Sequence, residues 1–120
     1  MSIGHCVPYV RVKDARASLD YYHRCLGFHK EGEQDKHCVA ICRGSLRFFL
    51  SERAEDGAFG ICVYCTVNDA DRLHTEFRRA GARELSDVVE MPWGRDFSVR
   101  DLDGNELRFG SPRPDASVAA

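Results

Sequence analysis

The chain has 120 residues, 43% of them apolar and 30% charged, with a formal charge of −2 and an isoelectric point near 6.2. Such a chain reads as one globular domain that can bury roughly two-thirds of the surface its unfolded form exposes. There is no basic stripe for a phosphate backbone and no apolar run near the ~20 residues that span a bilayer, so neither nucleic acid nor membrane is expected as a partner. The opening Met-Ser-Ile-Gly-His-Cys carries no export signature, which sets the expectation of a cytoplasmic protein.

Taken in order, the chain repeats one plan. "VPYVRVKDARASLDYYHRCLGF" (7–28) and "CVYCTVNDADRLHTEFRRAGA" (62–82) each open with an apolar strand, reach an aspartate, run a helix and stop at a glycine. Asp14 and Asp69 are expected as N-caps, Gly27 and Gly81 as C-terminal stops. Tyr9 aligns with Tyr64, Val12 with Val67, Tyr22 with Phe77. Leu19, Tyr22 and Leu26, and Leu73, Phe77 and Ala80, recur at helical spacing and predict one buried stripe per helix.

Shorter alternating segments follow each helix. Strands are expected at about 28–32 and near 83–90. "CVAICRGSLRFFLS" (38–51) parallels "FSVRDLDGNELRFG" (97–110), with Leu-Arg-Phe recurring as Leu46-Arg47-Phe48 and Leu107-Arg108-Phe109. Gly44-Ser45 and Gly104-Asn105 predict hairpin turns. Each half thus reads βαβββ, giving an α+β fold of two modules (about 5–52 and 59–111) within a single domain, 1–112. The residues 113–120 are Pro/Ala/Ser-rich and predict a disordered tail.

Period-two alternation assigns faces. Leu107 and Phe109 should cover the helix and leave Glu106 and Arg108 on the opposite face. By the same parity Tyr9, Phe49 and Tyr64 should share the helix-free faces with Arg47, Arg100 and Arg108. That mixture predicts a ligand cup. Its arginines favour an anionic or planar ligand; the competing reading pairs them with Glu106, Asp96 or Asp101. Trp93, the only tryptophan, stands in a loop before the last hairpin and is expected to be a ligand wall.

Six cysteines raise two other readings. Without an export signal a disulfide framework is weak. Cys62 and Cys65, three apart on a strand, face opposite ways; Cys38 and Cys42 share a face but lie about 13 Å apart at ~3.3 Å per residue. Zinc–sulfur bonds of about 2.3 Å exclude either pair as a clamp within its strand. Reduced, small, packed thiols are expected.

The paired plan, carried by the stretches 7–28 and 67–82 and by "PWGRDFSVRDLDGNELRFG" (92–110), resembles the vicinal oxygen chelate superfamily of glyoxalase I, extradiol dioxygenases, fosfomycin-resistance enzymes and bleomycin-resistance proteins. The Pro-Trp-Gly stretch is most similar to the bleomycin-resistance branch. The resemblance implies curved mixed sheets with a concave cup in a module-swapped homodimer. It also implies sequestration of a small planar or antibiotic-like ligand, with Trp93 stacking and Phe49 or His37 opposite it. Family enzymes hold a divalent metal at positions that here carry Val7, Arg47, Cys62 and Arg108. Valine has no donor atom, and arginine is a cation offering only N–H donors. No metal or other cofactor is therefore expected, and binding is favoured over catalysis. The expected ligand contacts are Trp93, Tyr9, Phe49, Tyr64, Arg47, Arg108, Cys62 and His37. The alternative is a metal-dependent glyoxalase-, dioxygenase- or transferase-like enzyme whose site has shifted to His5 with Cys62, Glu106 or His37. Two further readings are Cys62 as a nucleophile and a structural dimer module with a self-filled cup. His23, His29 and His74 read as surface residues without partners.

Overall fold

A computed structural model describes residues 1–113. The chain divides into two compact units, 1–59 and the residues from 60 onward. Each is a four-stranded mixed sheet with one helix. In the first, β1 (Tyr9–Arg11), α1 (Ala15–Leu26), β2 (His29–Asp35), β3 (Cys38–Arg43) and β4 (Leu46–Ser51) form a sheet in the order β1-β4-β3-β2. In the second, β5 (Cys62–Thr66), α2 (Ala70–Ala80), β6 (Val89–Met91), β7 (Gly94–Arg100) and β8 (Glu106–Pro112) give the order β5-β8-β7-β6. The first strand of each module runs parallel to the last and the other pairs are antiparallel. The two βαβββ modules and the α+β class are those the repeat predicts.

The helix boundaries follow from local chemistry. Asp14 accepts from the backbone N–H groups of Arg16 and Ala17, and Asp69 from that of Arg72, so each cap satisfies otherwise orphaned donors. Gly27 and Gly81 end the helices in the left-handed region, at φ 74° and 80°, which costs a residue with a Cβ more than glycine.

α1 lays Tyr22 and Leu26 on its sheet, where Tyr22 meets Phe28 and Phe48 edge-on and those two rings stack at 5.4 Å. α2 repeats the arrangement with Phe77 edge-on to Phe97 and Phe109, which stack at 5.5 Å. Tyr22, Phe28, Phe48, Phe77 and Phe109 are essentially inaccessible. Ala80, expected on the apolar stripe, is exposed. As the last helical residue, three beyond Phe77, it is rotated about 60° off that side chain's direction.

Two other expectations are corrected. The strand expected near 83–90 is reduced to β6, Val89–Met91. The residues before it lie beside β7 through mixed bonds: Ser86 N–H donates to Ser98 O, while Ser98 N–H donates to the Ser86 hydroxyl instead of a carbonyl. A side chain thus replaces a ladder bond and the regular strand cannot form. The histidines also have partners. His23 Nδ1 lies 2.8 Å from Phe28 O, His74 Nε2 lies 2.8 Å from Ser86 O, and His29 meets the His23 ring edge-on. Of the expected disordered tail only Arg113 lies within the described residues; its N–H donates to Trp93 O and its guanidinium pairs with Glu90. Residues 114–120 lie outside the described residues.

His37 has a structural role in the first module. It sits between β2 and β3, its Nδ1 2.7 Å from Glu52 Oε1, while Glu52 Oε2 accepts from Ala15 N–H in the first turn of α1. The Ala15 amide, then His37, hold the Glu52 carboxyl below its ordinary value of 4.5. A depressed acid adds stability that is complete above its unfolded-state value and lost as pH falls through its folded-state value. Glu52→Gln is therefore expected to flatten the acid limb of thermal stability without changing its shape at neutral pH. Melting curves recorded on both proteins from neutral to acid pH check this; parallel acid limbs would contradict it.

Candidate functional site in the second module

The sequence Pro-Trp-Gly-Arg-Asp-Phe, residues 92–97, distributes its side chains by strand parity. Phe97 goes into the core under α2, and Arg95, on the same face, reaches Asp71 in the helix's first turn through two bonds of 2.8 and 3.0 Å. Asp96 projects from the other face. Its Oδ1 accepts from Tyr64 Oη at 3.0 Å and from Trp93 Nε1 at 3.2 Å, and its Oδ2 accepts from the same Nε1 at 3.1 Å. Tyr64 and Trp93 are each 48% exposed, so two large rings are held by one carboxylate yet open to solvent. The Tyr64 phenol is pushed above its ordinary range, first by burial and then by the neighbouring carboxylate.

These groups border a hollow of about 350 Å³, which is completed by Ser86, Asp87, Val89, Met91, Phe97, Ser98, Glu106 and Arg108. Arg108 Nε donates to Glu106 Oε2 at 2.8 Å, and Arg100 lies 3.6 Å from Glu106 Oε1. The pairing reading of these arginines is thus realised, through one shared glutamate. Cys62 is exposed on β5, opposite Glu106 in register. Cys65, on the other face, is buried and its thiol pushed up to about 11 by desolvation.

The helix-free face of the first module carries Tyr9, Phe49 and Arg47. Tyr9 and Phe49 stack on each other at 4.8 Å, and Gln34 Nε2 donates to Tyr9 Oη at 3.3 Å. Arg47 is paired with Glu31, with contacts of 2.8–3.1 Å. His37 belongs to the Glu52 pair described above. A second hollow, about 520 Å³, lies between α1 and β2 and is lined by Arg16, Leu19, Asp20, His23, His29 and Lys30.

Register alters one sequence equivalence. Tyr9 lies opposite Phe49, whereas Tyr64 lies opposite Arg108. Counted from the paired tyrosines, the counterpart of Arg108 is Phe49, and that of Arg47 is Glu106. The two Leu-Arg-Phe triplets are offset by two residues. Because strand side chains alternate with period two, the offset leaves every residue on its expected face.

Metal fit can be judged from the donors. Val7, Cys62 and Arg108, with either Arg47 or Phe49, supply a single ligating atom, the Cys62 sulfur. A divalent ion needs several O, N or S donors at about 2–2.6 Å. These residues do not fit the family's metal. Among the described residues no three His, Cys, Asp or Glu side chains come together as a metal-holding group.

Asp96 is the site residue that sequence reading misses. Asp96 was legible only as one of several acids able to meet an arginine. Nothing in the sequence marks it as the acceptor for two aromatic donors on different strands.

Two βαβββ modules, each with a helix-free face that carries aromatic rings and charged pairs, define an α+β protein of repeated modules. Over residues 2–109 the sequence matches the Glyoxalase/Bleomycin resistance protein/Dioxygenase superfamily, and the chain belongs to it. No curated protein matches it in sequence. Among solved structures it is similar to the bleomycin-binding protein of bleomycin-producing Streptomyces verticillus, complexed with copper(II)-bleomycin. That likeness has 28% identity and a TM-score of 0.79, over 94% of this chain and 99% of that one. It also shares its fold with an antibiotic binding protein from Streptomyces sp. CB03234 (20% identity, TM-score 0.81, covering 94% and 99% of the two chains). Lactoylglutathione lyase from Agrobacterium tumefaciens has the same fold (18%, 0.74, covering 90% and 92%). Among the described residues no helix is long and apolar enough to cross a membrane.

Proposed function

We propose that the protein is a homodimer that binds and sequesters a planar, antibiotic-type small molecule without a metal of its own. The observation that carries this reading is the half-exposed Trp93 and Tyr64 pair, tied to Asp96 at the edge of an open hollow. A core would bury such rings, and an ordinary surface would not hold them by hydrogen bonds. The donor chemistry at Val7, Cys62 and Arg108 supports binding over metal-assisted catalysis, and the 28% identity to a bleomycin-binding protein supports an antibiotic ligand. Trp93 would stack on the ligand, with Tyr64, Cys62 and Arg108 beside it, and Tyr9, Phe49 and Arg47 would be ligand contacts of the first module. His37, half-exposed beside Glu52, would be a further contact of that module.

The test is a titration of metal-free bleomycin into the dialysed protein, following the fluorescence of the single tryptophan, with light scattering to count subunits. A saturable change ending at one drug per subunit of a dimer is expected. Stacked rings contribute about 0.5–1.5 kcal/mol beyond area burial. Phe49→Ala should therefore weaken binding by roughly two- to tenfold. A flat fluorescence trace together with no heat in calorimetry would remove bleomycin as the ligand.

A further inference from the structure

Asp96 joins two rings that arrive on different elements. Tyr64 belongs to β5, at one edge of the sheet, and Trp93 to the turn between β6 and β7, at the other. β8 lies between β5 and β7, so the bond from Tyr64 to Asp96 passes over it. The crossing point is Gly110, the register partner of Asp96. A Cβ at this position would overlap Tyr64 Oη and Asp96 Oδ1 and come within 2.7 Å of the Tyr64 ring. Gly110 is not among the glycines with positive φ. The backbone there does not ask for glycine; the space above it does.

We propose that Asp96 is a positioning residue that fixes Trp93 and Tyr64 as a preformed aromatic edge, and that Gly110 is the residue that leaves it room. The proposal rests on reading the module-two hollow as a ligand site. Its physical content is preorganisation. A tryptophan on a turn loses rotamer freedom when it stacks, and ordering one such side chain weakens binding by roughly two- to tenfold. Here one bifurcated hydrogen bond from Trp93 Nε1 and one from Tyr64 Oη meet that requirement before any ligand arrives. The donors are neutral, so an asparagine that keeps Oδ1 retains most of the arrangement, whereas an alanine releases both rings.

The first measurement needs no ligand. Time-resolved fluorescence anisotropy of Trp93 should show faster ring motion in Asp96→Ala and Gly110→Ala than in the wild type, with Asp96→Asn in between. Absorbance titration of the phenols should show Tyr64 ionising at lower pH in Asp96→Ala, since a neighbouring carboxylate helps hold its proton. Metal-free bleomycin should then bind Asp96→Ala roughly tenfold more weakly than wild type and Asp96→Asn nearly as well as wild type. Tyr64→Phe, which removes one donor and adds no bulk, covers the case in which Gly110→Ala fails to fold. A Trp93 ring as immobile in Asp96→Ala as in the wild type overturns the proposal. So does equal loss of bleomycin affinity in Asp96→Asn and Asp96→Ala, which would mean the carboxylate acts through its charge. If wild-type protein ignores bleomycin, the antibiotic reading falls, while released ring motion in Asp96→Ala still supports the positioning role.

Discussion

Phe77→Ala is expected to lower the unfolding free energy by about 3–5 kcal/mol, as the removal of a fully buried ring does. Phe77 is inaccessible and contacts Phe97 and Phe109 edge-on, while those two stack on each other beneath it. Truncation leaves a cavity between α2 and two central strands that the stacked pair cannot close without abandoning its own contact. Val89→Ala is the control: Val89 is 53% exposed, and such a change usually stays within about 0.5 kcal/mol. Denaturant unfolding followed by circular dichroism compares the two. Equal midpoints would show that the aromatic cluster is not the centre of the second module.

The second large effect is expected at Asn105, a buried amide at the end of the β7–β8 loop. Its Oδ1 accepts from the N–H groups of Gly60 and Ile61, at 2.9 and 3.1 Å, and its Nδ2 donates to Asp101 Oδ2 at 2.9 Å. Asp101, also buried, accepts from the N–H groups of Asp103 and Asn105 through its other oxygen. The pair shapes the loop and ties it to the chain entering β5. Asn105→Ala removes the acceptor for two amides and one partner of a buried carboxylate. Asp101 keeps its bonds through Oδ1, so the loss falls on the part-buried Gly60 and Ile61 amides and on one carboxylate oxygen, about 1–3 kcal/mol in all. Asn105→Asp keeps Oδ1 but sets a second carboxylate against Asp101, so its instability should shrink as the medium becomes acidic. Unfolding midpoints at two pH values distinguish the variants, and an Asn105→Ala protein as stable as wild type would contradict this account.

The sequence discloses most of the architecture because its strongest signals are local. Asp14 and Asp69 cap, Gly27 and Gly81 stop, and the alternation of Glu106, Leu107, Arg108 and Phe109 puts each on its observed face. What it does not disclose depends on distance. Ser86 ends a strand pattern by offering its hydroxyl to Ser98, and Glu31 captures Arg47 from across the sheet. Asp96 collects donors from residues 3 and 32 positions away. Gly110 has no turn to explain it, only a neighbour overhead. The candidate site was thus legible as a set of rings and arginines, but not as the acids that hold them.

The two-residue offset between the modules bears on how such a repeat can change. A strand that slips by one residue turns its apolar side outward and its charges inward, and the fold is lost. A slip of two keeps that pattern and changes only which neighbours face one another across the sheet. Tyr9 came to lie against a phenylalanine and Tyr64 against an arginine without either module disturbing its core. Even-numbered drift is therefore a route by which the halves of a repeated fold acquire different surfaces while their interiors stay alike. The exposed faces of this protein carry such a difference: a stacked aromatic pair on one, an acid-held aromatic edge on the other.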